Sequence, residues 1–402
     1  MASRSSAGSS RRAALAKGKR AAQRSNASKL PAVLFLLLQT DAAANGGLSS
    51  ISQIIAALKR HRPIIVTDRE SPRVAQWRKD GVETHVIPST RSSLWRNPLA
   101  HLSAYWRYTR ELRRLIRKTG ARVIHANNPL ALQLGLPAAR STGAKILLNL
   151  RDTIDPGRRT FKPRYALRFG AADHVLFLSN DMADRWADIA SNAKRSCTIT
   201  YSIVDPKIFP PFPPSTKSPP VVLLSGIVRP KKGQLDFIRH VSPVLAAHGV
   251  ETWIAGDFDP SRDAYMRDCA DAAEPLGDMV KFLGYREDLP ALFERCTVVV
   301  IASRHEGLVR AMIEGMSCAR PVVSFDVCSA REILEEKSGG AGVVVRMGDF
   351  DGMAKAILTY CRDPEAAARA GEKGRQTASR LFARDEVVRR YEQVYETLEA
   401  GK

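Results

Sequence analysis

Two glutamates eight residues apart are the residues of this sequence whose spacing most directly suggests chemistry. Residues 297–302 (TVVVIA) form an apolar run of the length of a buried strand, and a polar turn follows it. Glu306 falls in that turn, and Glu314 falls in the helical pattern that comes next. Because eight residues of α-helix span ~12 Å, about two turns, we expect both carboxylates near one face of the helix.

The backbone between the two glutamates is a candidate anion-binding site. At a helix N-terminus the N–H groups of Gly307, Leu308 and Val309 lack partners within the helix and can point at a ligand. A diphosphate fits such a seat, with one carboxylate accepting hydrogen bonds from a sugar and the other from a ribose. Carboxylates two turns apart are also common on solvated helices, so the interpretation depends on the flanking residues.

Those flanking residues resemble the donor-site signature of family 4 glycosyltransferases: S-x-x-E-G, then E-A-M-A-C-G-x-P-V and a later E-I. The matching flanking residues are Ser303, Cys318, Pro321 and Glu332, and the small residues Gly315 and Ala319 replace an Ala and a Gly. The resemblance implies a retaining α/β enzyme of the GT-B fold. Two Rossmann-like domains would face each other across a cleft, and a C-terminal helix would cross back to the first domain. Glu306 would be the catalytic residue that holds the donor sugar, and Glu314 would hold the ribose.

A basic loop, GIVRPKKG at residues 226–233, directly follows the apolar run 221–225. The family shows G-R-L and then K-G here, and its Arg and Lys hold the donor diphosphate. Lys232 and Gly233 match, whereas Ile227 occupies the Arg position and Arg229 lies two residues later. Arg229 is either a shifted diphosphate ligand or a solvated loop charge. Two cations and a helix N-terminus can stabilise a departing nucleoside diphosphate, so we expect no metal and no cofactor.

Four further residues are candidates for ligand contacts. Tyr285 follows KFLG (281–284), which resembles the family's turn beside the nucleotide base, and it is either a stacking residue or an interface tyrosine. Gly46 and Gly47 follow the first strand pattern, and their turn either lets the acceptor approach closely or simply connects a strand and a helix. Asp152 is an acceptor contact or a helix N-cap.

Two further positions bear on the resemblance. Arg151 stands where many relatives have His, so no His-based role is assigned to this position. For His125, at the end of the strand pattern RVIHA, a structural role is favoured over a functional one. The YSIVD segment 201–205 replaces an N-G-V-D turn of the relatives and receives only a structural role.

Length and charge fit a two-domain protein with an uneven charge distribution. The 402 residues, 44% of them hydrophobic, are enough for two ordinary cores. Residues 1–210 carry 36 basic and 13 acidic side chains, and residues 211–402 carry 26 and 28. The net charge of +21 therefore comes from the first half.

Cysteines and hydropathy limit the location of the chain. The six cysteines form no C-x-x-C or Cys/His cluster, which argues against a zinc site or a disulfide framework and fits a reducing cytosol. No apolar run approaches the ~18 residues of a membrane span. We expect a cytoplasmic protein that can be peripheral on the cytoplasmic membrane face.

The expected organisation has five parts. They are a disordered basic tail at 1–29, an acceptor-binding Rossmann-like domain at 30–205, a Pro-rich linker at 206–220, a nucleotide-sugar-binding Rossmann-like domain at 221–380 and the crossing helix at 381–402. The tail holds eight basic and no acidic residues, a composition that also suits an organelle transit peptide.

A basic amphipathic helix is expected around residues 102–118. Its apolar face is marked by Leu102, Tyr105, Trp106, Leu112 and Ile116, with Arg and Lys on the rest. Such a helix either packs on the core with a solvated charged face or contacts an anionic membrane or acceptor. The charge of the first half favours the second interpretation.

The sequence thus predicts a hexosyltransferase that moves a sugar from a UDP- or GDP-sugar to a glycan or lipid-linked acceptor with retention. Polysaccharide or lipopolysaccharide biosynthesis is the expected setting. Two alternatives remain: a nucleotide-sugar epimerase of the GT-B fold, and a non-catalytic scaffold in polysaccharide assembly, which the displaced Arg and the missing His permit. Specific nucleic-acid binding is not expected, since there is no stacking motif or recognition module.

Overall fold

The computed structural model describes residues 30–38, 46–89, 98–151, 170–187, 196–215 and 218–401. The basic tail 1–29 and the acceptor candidate Asp152 lie outside these ranges. Helices alternate with strands in two parallel sheets, which confirms the predicted α/β class.

The first sheet has seven strands in the order β3-β2-β1-β4-β5-β6-β7. Each pair whose register is described is parallel. The first strand is continuously apolar and fully buried, as expected for a strand covered on both faces. The strands are β1 (Ala32–Leu36), β2 (Arg62–Thr67), β3 (Glu83–Val86), β4 (Val123–Ala126), β5 (Lys145–Asn149), β6 (His174–Phe177) and β7 (Cys197–Ile199).

Helices connect these strands in the manner of a Rossmann-like fold. Two of them begin with a clear sequence signal: Ser71 and Asn128 are N-caps, each followed by Pro at the first helical position. The helices are α1 (Gly46–Ala57), α2 (Pro72–Lys79), α3 (Pro98–Thr119), α4 (Pro129–Thr142) and α5 (Asn180–Ala187).

Helix α3 corrects the expected apolar face. Tyr108, Leu112 and Ile116 are buried, but Leu102 and Trp106 are 52% and 62% exposed. The buried stripe repeats at three- and four-residue steps, and Leu102 and Trp106 lie one position off it.

The second sheet has six strands in the order β10-β9-β8-β11-β12-β13, and every neighbouring pair is parallel. The strand order reverses between β8 and β11, and in open α/β sheets ligands bind beyond the strand ends at such a switch point. The strands are β8 (Val221–Ser225), β9 (Glu251–Ala255), β10 (Val280–Gly284), β11 (Val298–Ile301), β12 (Val322–Phe325) and β13 (Gly342–Val345).

Most helices of this half bury one apolar stripe. Between α10 and β13 lies a short π-helical segment, Glu332–Glu336. The helices are α6 (Gln234–His240), α7 (Ser242–Ala247), α8 (Ala264–Ala273), α9 (Leu289–Arg295), α10 (Arg310–Ser317), α11 (Phe350–Arg362), α12 (Pro364–Leu381) and α13 (Arg384–Glu399).

The chain divides into two compact units. The first comprises residues 1–43, 55–148 and 392–402, and the second comprises residues 44–54 and 149–391. Helix α13 spans Arg384–Glu399, within the predicted segment 381–402, and it begins in the second unit and ends in the first. The expected crossing of the C-terminal helix is therefore present.

Buried polar contacts hold the end of α13 in the first unit. Glu392 accepts hydrogen bonds from the backbone N–H groups of Lys59 and Arg60, and the Arg60 side chain pairs with it at 3.1 Å. The hydroxyl of Tyr395 lies 2.8 Å from Nδ1 of His125, which is fully buried. His125 thus has the structural role that the sequence favoured.

The Pro-rich segment after residue 205 is fixed within the second unit. Ser317 donates a 2.8 Å hydrogen bond to the carbonyl of Phe209, and the buried guanidinium of Arg320 donates to the carbonyl of Pro213. Arg320 also donates to the carbonyls of Phe293 and Glu294. The domain bounds inferred from the sequence stay a prediction.

Candidate active site

The loop after β8 begins with a glycine whose backbone conformation favours that residue. Gly226 has a φ of +149°, a conformation that L side chains rarely adopt. A Cβ at this position would lie 3.4 Å from Cε of Lys232, an ordinary contact distance, so the lysine chain passes beside the glycine. The glycine is therefore explained by its φ and not by the space that the lysine needs.

The loop ends with a second glycine that packs on the end of β11. Gly233 has a φ of +70°, and a Cβ there would lie 2.0 Å from the carbonyl oxygen of Ala302. The backbone N–H of Arg304 donates to the carbonyl of Lys231 at 2.9 Å. These contacts join the loops after β8 and β11, the two strands that flank the switch point.

Gln234 stiffens the same loop from the inside. Its buried amide donates to the carbonyl of Ile227 at 3.1 Å and accepts from the N–H of Arg229 at 3.4 Å. The Arg229 side chain is exposed, so the backbone is fixed while the guanidinium stays in solvent. The assignment of Arg229 to the diphosphate stays a prediction.

The central contact of the site is an ion pair between these loops. Nζ of Lys232 lies 2.7 Å from Oε1 of Glu306, with the lysine side chain 23% and the glutamate side chain 10% exposed. The pair brings together the two residues that the signature singles out most strongly. A lysine ammonium has three donors, so the contact with Glu306 leaves others for a ligand.

The helix after Glu306 starts later than the sequence suggests. Helix α10 begins at Arg310 with Val309 at the N-cap position, so Glu306, Gly307 and Leu308 lie in the preceding loop. The expected two-turn helical spacing between the glutamates is therefore wrong. Val309 provides no side-chain cap, which explains why no Ser, Thr, Asp or Asn marks the true start.

The Gly307 segment is anchored on its carbonyl side. Ser329, with a φ of +67°, donates from its hydroxyl to the carbonyl of Gly307 at 2.7 Å. The N–H of Ser329 donates to Asp181 at 2.9 Å. A fixed carbonyl orientation also fixes the following peptide N–H, so the turn is positioned before any ligand binds.

Glu314 is also paired, but within its own helix. Nη2 of Arg310 lies 2.6 Å from Oε1 of Glu314, and Nη1 of Arg310 donates to the hydroxyl of Ser50 at 3.0 Å. Glu314 is 5% exposed. Arg310 thus orients Glu314, a role that the sequence interpretation missed although the four-residue spacing signals it.

The other candidates fall in different places. Tyr285 follows β10 and is 67% exposed. Gly46 and Gly47 are the first two residues of α1, so they begin the helix that follows β1. The suggested turn at these glycines is therefore corrected to a helix start. Their assignment to the acceptor remains a prediction, as do the assignments of the donor residues.

Glu332, the last residue of the signature, is a buried structural acceptor. It accepts hydrogen bonds from the side chain of Asn180 at 2.8 Å, the N–H of Asp181 at 3.0 Å and the hydroxyl of Tyr201 at 3.2 Å. Burial and the Glu332 charge raise the pKa of Tyr201 well above its ordinary value. Tyr201 thus has a structural contact, as the sequence suggested for its segment.

The described part of the chain contains neither a cluster of metal ligands nor a membrane-spanning helix. Its His, Cys, Asp and Glu side chains form no group of three or more that could hold a metal ion. None of its helices is both long enough and apolar enough to cross a membrane.

Two family profiles match consecutive parts of the chain. The profile described as "Glycosyl transferase 4-like domain" matches residues 45–201, and "Glycosyl transferases group 1" matches residues 219–363. The chain belongs to the group 1 glycosyltransferases of family 4. The second match contains the loop with Lys232 and the segment with Glu306 and Glu314.

A curated relative of this glycosyltransferase is the lipopolysaccharide core biosynthesis glycosyltransferase LpsE of Rhizobium meliloti (strain 1021). It is 28% identical over 175 residues, which are 44% of this chain and 49% of LpsE. The chain thus spans about half the length of this relative in the match.

Solved structures support the fold of the glycosyltransferase. Sucrose-phosphate synthase from Thermosynechococcus elongatus aligns with a TM-score of 0.74 and 19% identity, covering 92% of this chain and 100% of that one. Anabaena HepE in complex with UDP and glucose aligns with a TM-score of 0.72 and 20% identity, covering 91% and 99%. The predicted GT-B fold is therefore confirmed.

Proposed function

We propose that this glycosyltransferase transfers a hexose from a nucleotide-sugar, a UDP- or GDP-sugar, to a glycan or lipid-linked acceptor with retention of configuration. The observation that carries the proposal is the Lys232–Glu306 pair, because it sits in the two loops that flank the switch point of the second sheet. The UDP in the HepE structure supports a nucleotide donor. The lipopolysaccharide-core relative supports a role in surface polysaccharide or lipopolysaccharide synthesis.

The Lys232–Glu306 pair suggests how the enzyme would bind and activate the nucleotide-sugar donor. When the bond between the sugar and the diphosphate breaks, negative charge grows on the leaving phosphate. Lys232, the amides at Gly307, Leu308 and Val309, and Arg229 would stabilise that charge without a metal ion or a cofactor. Glu306 would hold the donor sugar and Glu314 the ribose, with Tyr285 beside the base. The acceptor would approach past Gly46, Gly47 and Asp152.

A panel of ligands tests the proposal on the full chain. We expect UDP, GDP or one of their hexose conjugates to raise the unfolding temperature, since a ligand at 100 times its Kd stabilises the folded state by about 2.7 kcal/mol. AMP and free glucose are the negative controls. The proposal fails when no nucleotide compound shifts the transition.

Turnover separates the proposed transferase from its alternatives. A transferase releases nucleoside diphosphate faster when a suitable acceptor is added, whereas an epimerase forms product from the donor alone. A scaffold would leave every nucleotide-sugar intact. Analysis of donor, diphosphate and sugar products by chromatography distinguishes the three, and the anomeric proton couplings of the product test retention.

Helix α3 supports a cytoplasmic enzyme that is peripheral on an anionic membrane surface. Leu99, Leu102 and Trp106 are exposed, and Arg107 and Arg110 beside them are exposed as well. Aromatic and aliphatic side chains next to arginines suit a lipid headgroup region. Such a position would bring the enzyme to a lipid-linked acceptor.

Cosedimentation with vesicles tests this association. Trp106→Ala should lower binding to vesicles that contain anionic lipid, whereas Met347→Ala, which removes an exposed apolar side chain of the second unit, should not. Equal binding of both variants and the unmodified chain would contradict the role of α3.

A further inference from the structure

A buried charged group in the second unit, the guanidinium of Arg151, has no part in the roles assigned above. Arg151 is the second residue after the end of β5. Nη2 of Arg151 donates to the hydroxyl of Ser202 at 2.9 Å. Within the described part of the chain, its Nε and Nη1 are shielded from water and have no hydrogen-bond partner.

An arginine in this state is unusual, because buried guanidinium groups are normally paired with a carboxylate or held by several acceptors. Burial lowers the pKa of Arg151, the nearby Tyr391 opposes that shift, and the positive charge of Arg310 adds to it. The hydroxyl of Tyr391 also accepts from the side chain of Asn149 at 3.3 Å. Among the residues that the structure describes, the neighbours of Arg151 thus provide hydroxyl groups and a second cation rather than an anion.

Arg310 links this cluster to the candidate active site. It occupies the first turn of α10, where the free N–H groups already attract negative charge. Its Nη groups bind Ser50 and Glu314, and the single negative charge of Glu314 does not balance two guanidinium groups. Within the described residues the cluster therefore has an excess positive charge and two unsatisfied donors of Arg151, and Arg310 follows Glu306 by four residues in the sequence.

We infer that Arg151 binds an oxyanion of the substrate, a carboxylate or a phosphate other than the donor diphosphate. The inference rests on the proposed function, since it names the substrate class of that same site. A guanidinium presents its donors in a planar fork that matches two oxygens of either group. The anion is carried by the donor, as in a uronic acid, or by the acceptor, as in a phosphorylated or acidic sugar.

The donor source is tested with UDP-glucose and UDP-glucuronate, which differ at C6 by a carboxylate. If the donor carries the oxyanion, the affinity of the full chain for UDP-glucuronate exceeds its affinity for UDP-glucose by about tenfold or more, because a charge-assisted bidentate contact is added. Arg151→Gln abolishes this preference and leaves UDP-glucose affinity unchanged, and Arg151→Lys restores part of it. Arg375→Gln, an exposed arginine paired with Glu372, is the matched control.

The acceptor source is tested with the protein saturated with UDP. Glucuronate and glucose 6-phosphate are titrated by calorimetry into the unmodified chain and into Arg151→Gln. Binding of either probe to the unmodified chain, and its loss in the variant, assigns the oxyanion to the acceptor.

The stability of the ligand-free variant provides an independent readout. Because Arg151→Gln removes a buried charge that has no counterion among the described residues, its unfolding temperature stays the same or rises. A fall of about 4 °C or more, well beyond the scatter expected for a neutral substitution, would mean that the chain itself supplies the anion, and it would overturn the inference.

Different experimental results would contradict the proposed function and the proposed oxyanion site. Absence of binding by every uridine or guanosine compound removes the function. Normal nucleotide binding, combined with no preference for UDP-glucuronate and no Arg151-dependent binding of glucuronate or glucose 6-phosphate, removes the oxyanion site alone.

Discussion

The loop that holds Glu306 and the helix that holds Glu314 each place a buried carboxylate beside a cation, but the cation comes from a different part of the chain in each case. Each carboxylate is buried, and each lies within 2.7 Å of a cation. The partner of Glu306 is Lys232, which comes from a different strand end. The partner of Glu314 is Arg310, which lies one turn earlier on the same helix.

The Lys232–Glu306 pair depends on the packing of two loops, whereas the Arg310–Glu314 pair depends only on local helical structure. The Lys232–Glu306 contact exists only when the loops after β8 and β11 are packed together, as the contact of Gly233 with Ala302 requires. The Arg310–Glu314 contact needs only a helix, and pairs of this spacing contribute about 0.2–0.5 kcal/mol on exposed helices. Changes at the first pair should therefore affect function more than changes at the second.

The largest effect is expected for Glu306→Gln, which keeps the shape of the side chain and removes its charge. Turnover should fall by about 10²–10³-fold, since a charged group beside the reacting sugar is lost. Nucleoside diphosphate affinity should stay within about threefold, a change of less than 1 kcal/mol. Steady-state kinetics and calorimetry with UDP or GDP provide the two measurements.

Glu287→Gln, at an exposed position of the loop after β10, is the control for this prediction. It removes the same charge from the same unit and should leave turnover unchanged. Unaltered turnover in Glu306→Gln would remove Glu306 from the catalytic role.

Gly233→Ala tests how far the site depends on the packing of its loops. The added Cβ meets the Ala302 carbonyl, and the residue keeps a φ of +70°, so we expect about 2–4 kcal/mol of destabilisation. Gly249→Ala shares the positive φ of +69° but meets no atom within 4 Å, so it isolates the backbone cost of about 1–2 kcal/mol. Urea unfolding measures both, and equal losses would show that the contact with Ala302 contributes nothing.

Glu332→Gln extends the comparison to a buried glutamate of the same segment whose hydrogen bonds come from Asn180, Asp181 and Tyr201. Because an NH2 group that cannot accept a hydrogen bond replaces one carboxylate oxygen, we expect a loss of about 1–3 kcal/mol of stability. Nucleotide affinity should not change. Glu336→Gln, at an exposed position of the same π-helical segment, should be neutral in both measurements.

The smallest effect is expected at the local pair. Glu314→Ala should weaken nucleotide binding by about tenfold, the effect of losing one hydrogen-bonded contact of about 1.4 kcal/mol with a ribose. Arg310→Met should produce a smaller loss, because it removes the orientation of Glu314 and not the carboxylate itself. Affinities for UDP and GDP measured by calorimetry would rank the two variants, and the reverse order would contradict the local interpretation.

The sequence predicted the elements best where the pattern is local. Buried strands such as β1 and β11 are short apolar runs, and α13 lies within the C-terminal segment that was predicted to be helical. The start of α10 was not predictable in this way, because Val309 offers no capping side chain. The exposure of Trp106 was also missed, since the helix buries a stripe one position away from it.

In the candidate site, too, local spacing was predictable from the sequence and long-range contacts were not. Lys232 and Glu306 were found because their spacing within a motif carries the signal, although their contact joins residues far apart in the chain. Arg310 could have been found from its spacing to Glu314. The contact of Arg151 with Ser202 spans 51 residues, and no local pattern reports that two donors of Arg151 stay unpaired within the described part of the chain.

The affinity of the full chain for UDP and GDP in Lys232→Ala and Lys231→Ala tests the central claim most directly. Both variants remove one lysine from the same loop, and Lys232 is the one whose Nζ lies 2.7 Å from Oε1 of Glu306. The account predicts that Lys232→Ala weakens binding by about 10²-fold, near 2.7 kcal/mol, whereas Lys231→Ala changes it by less than about threefold. Equal affinities in the two variants would contradict the assignment of the Lys232–Glu306 pair to the nucleotide-sugar site.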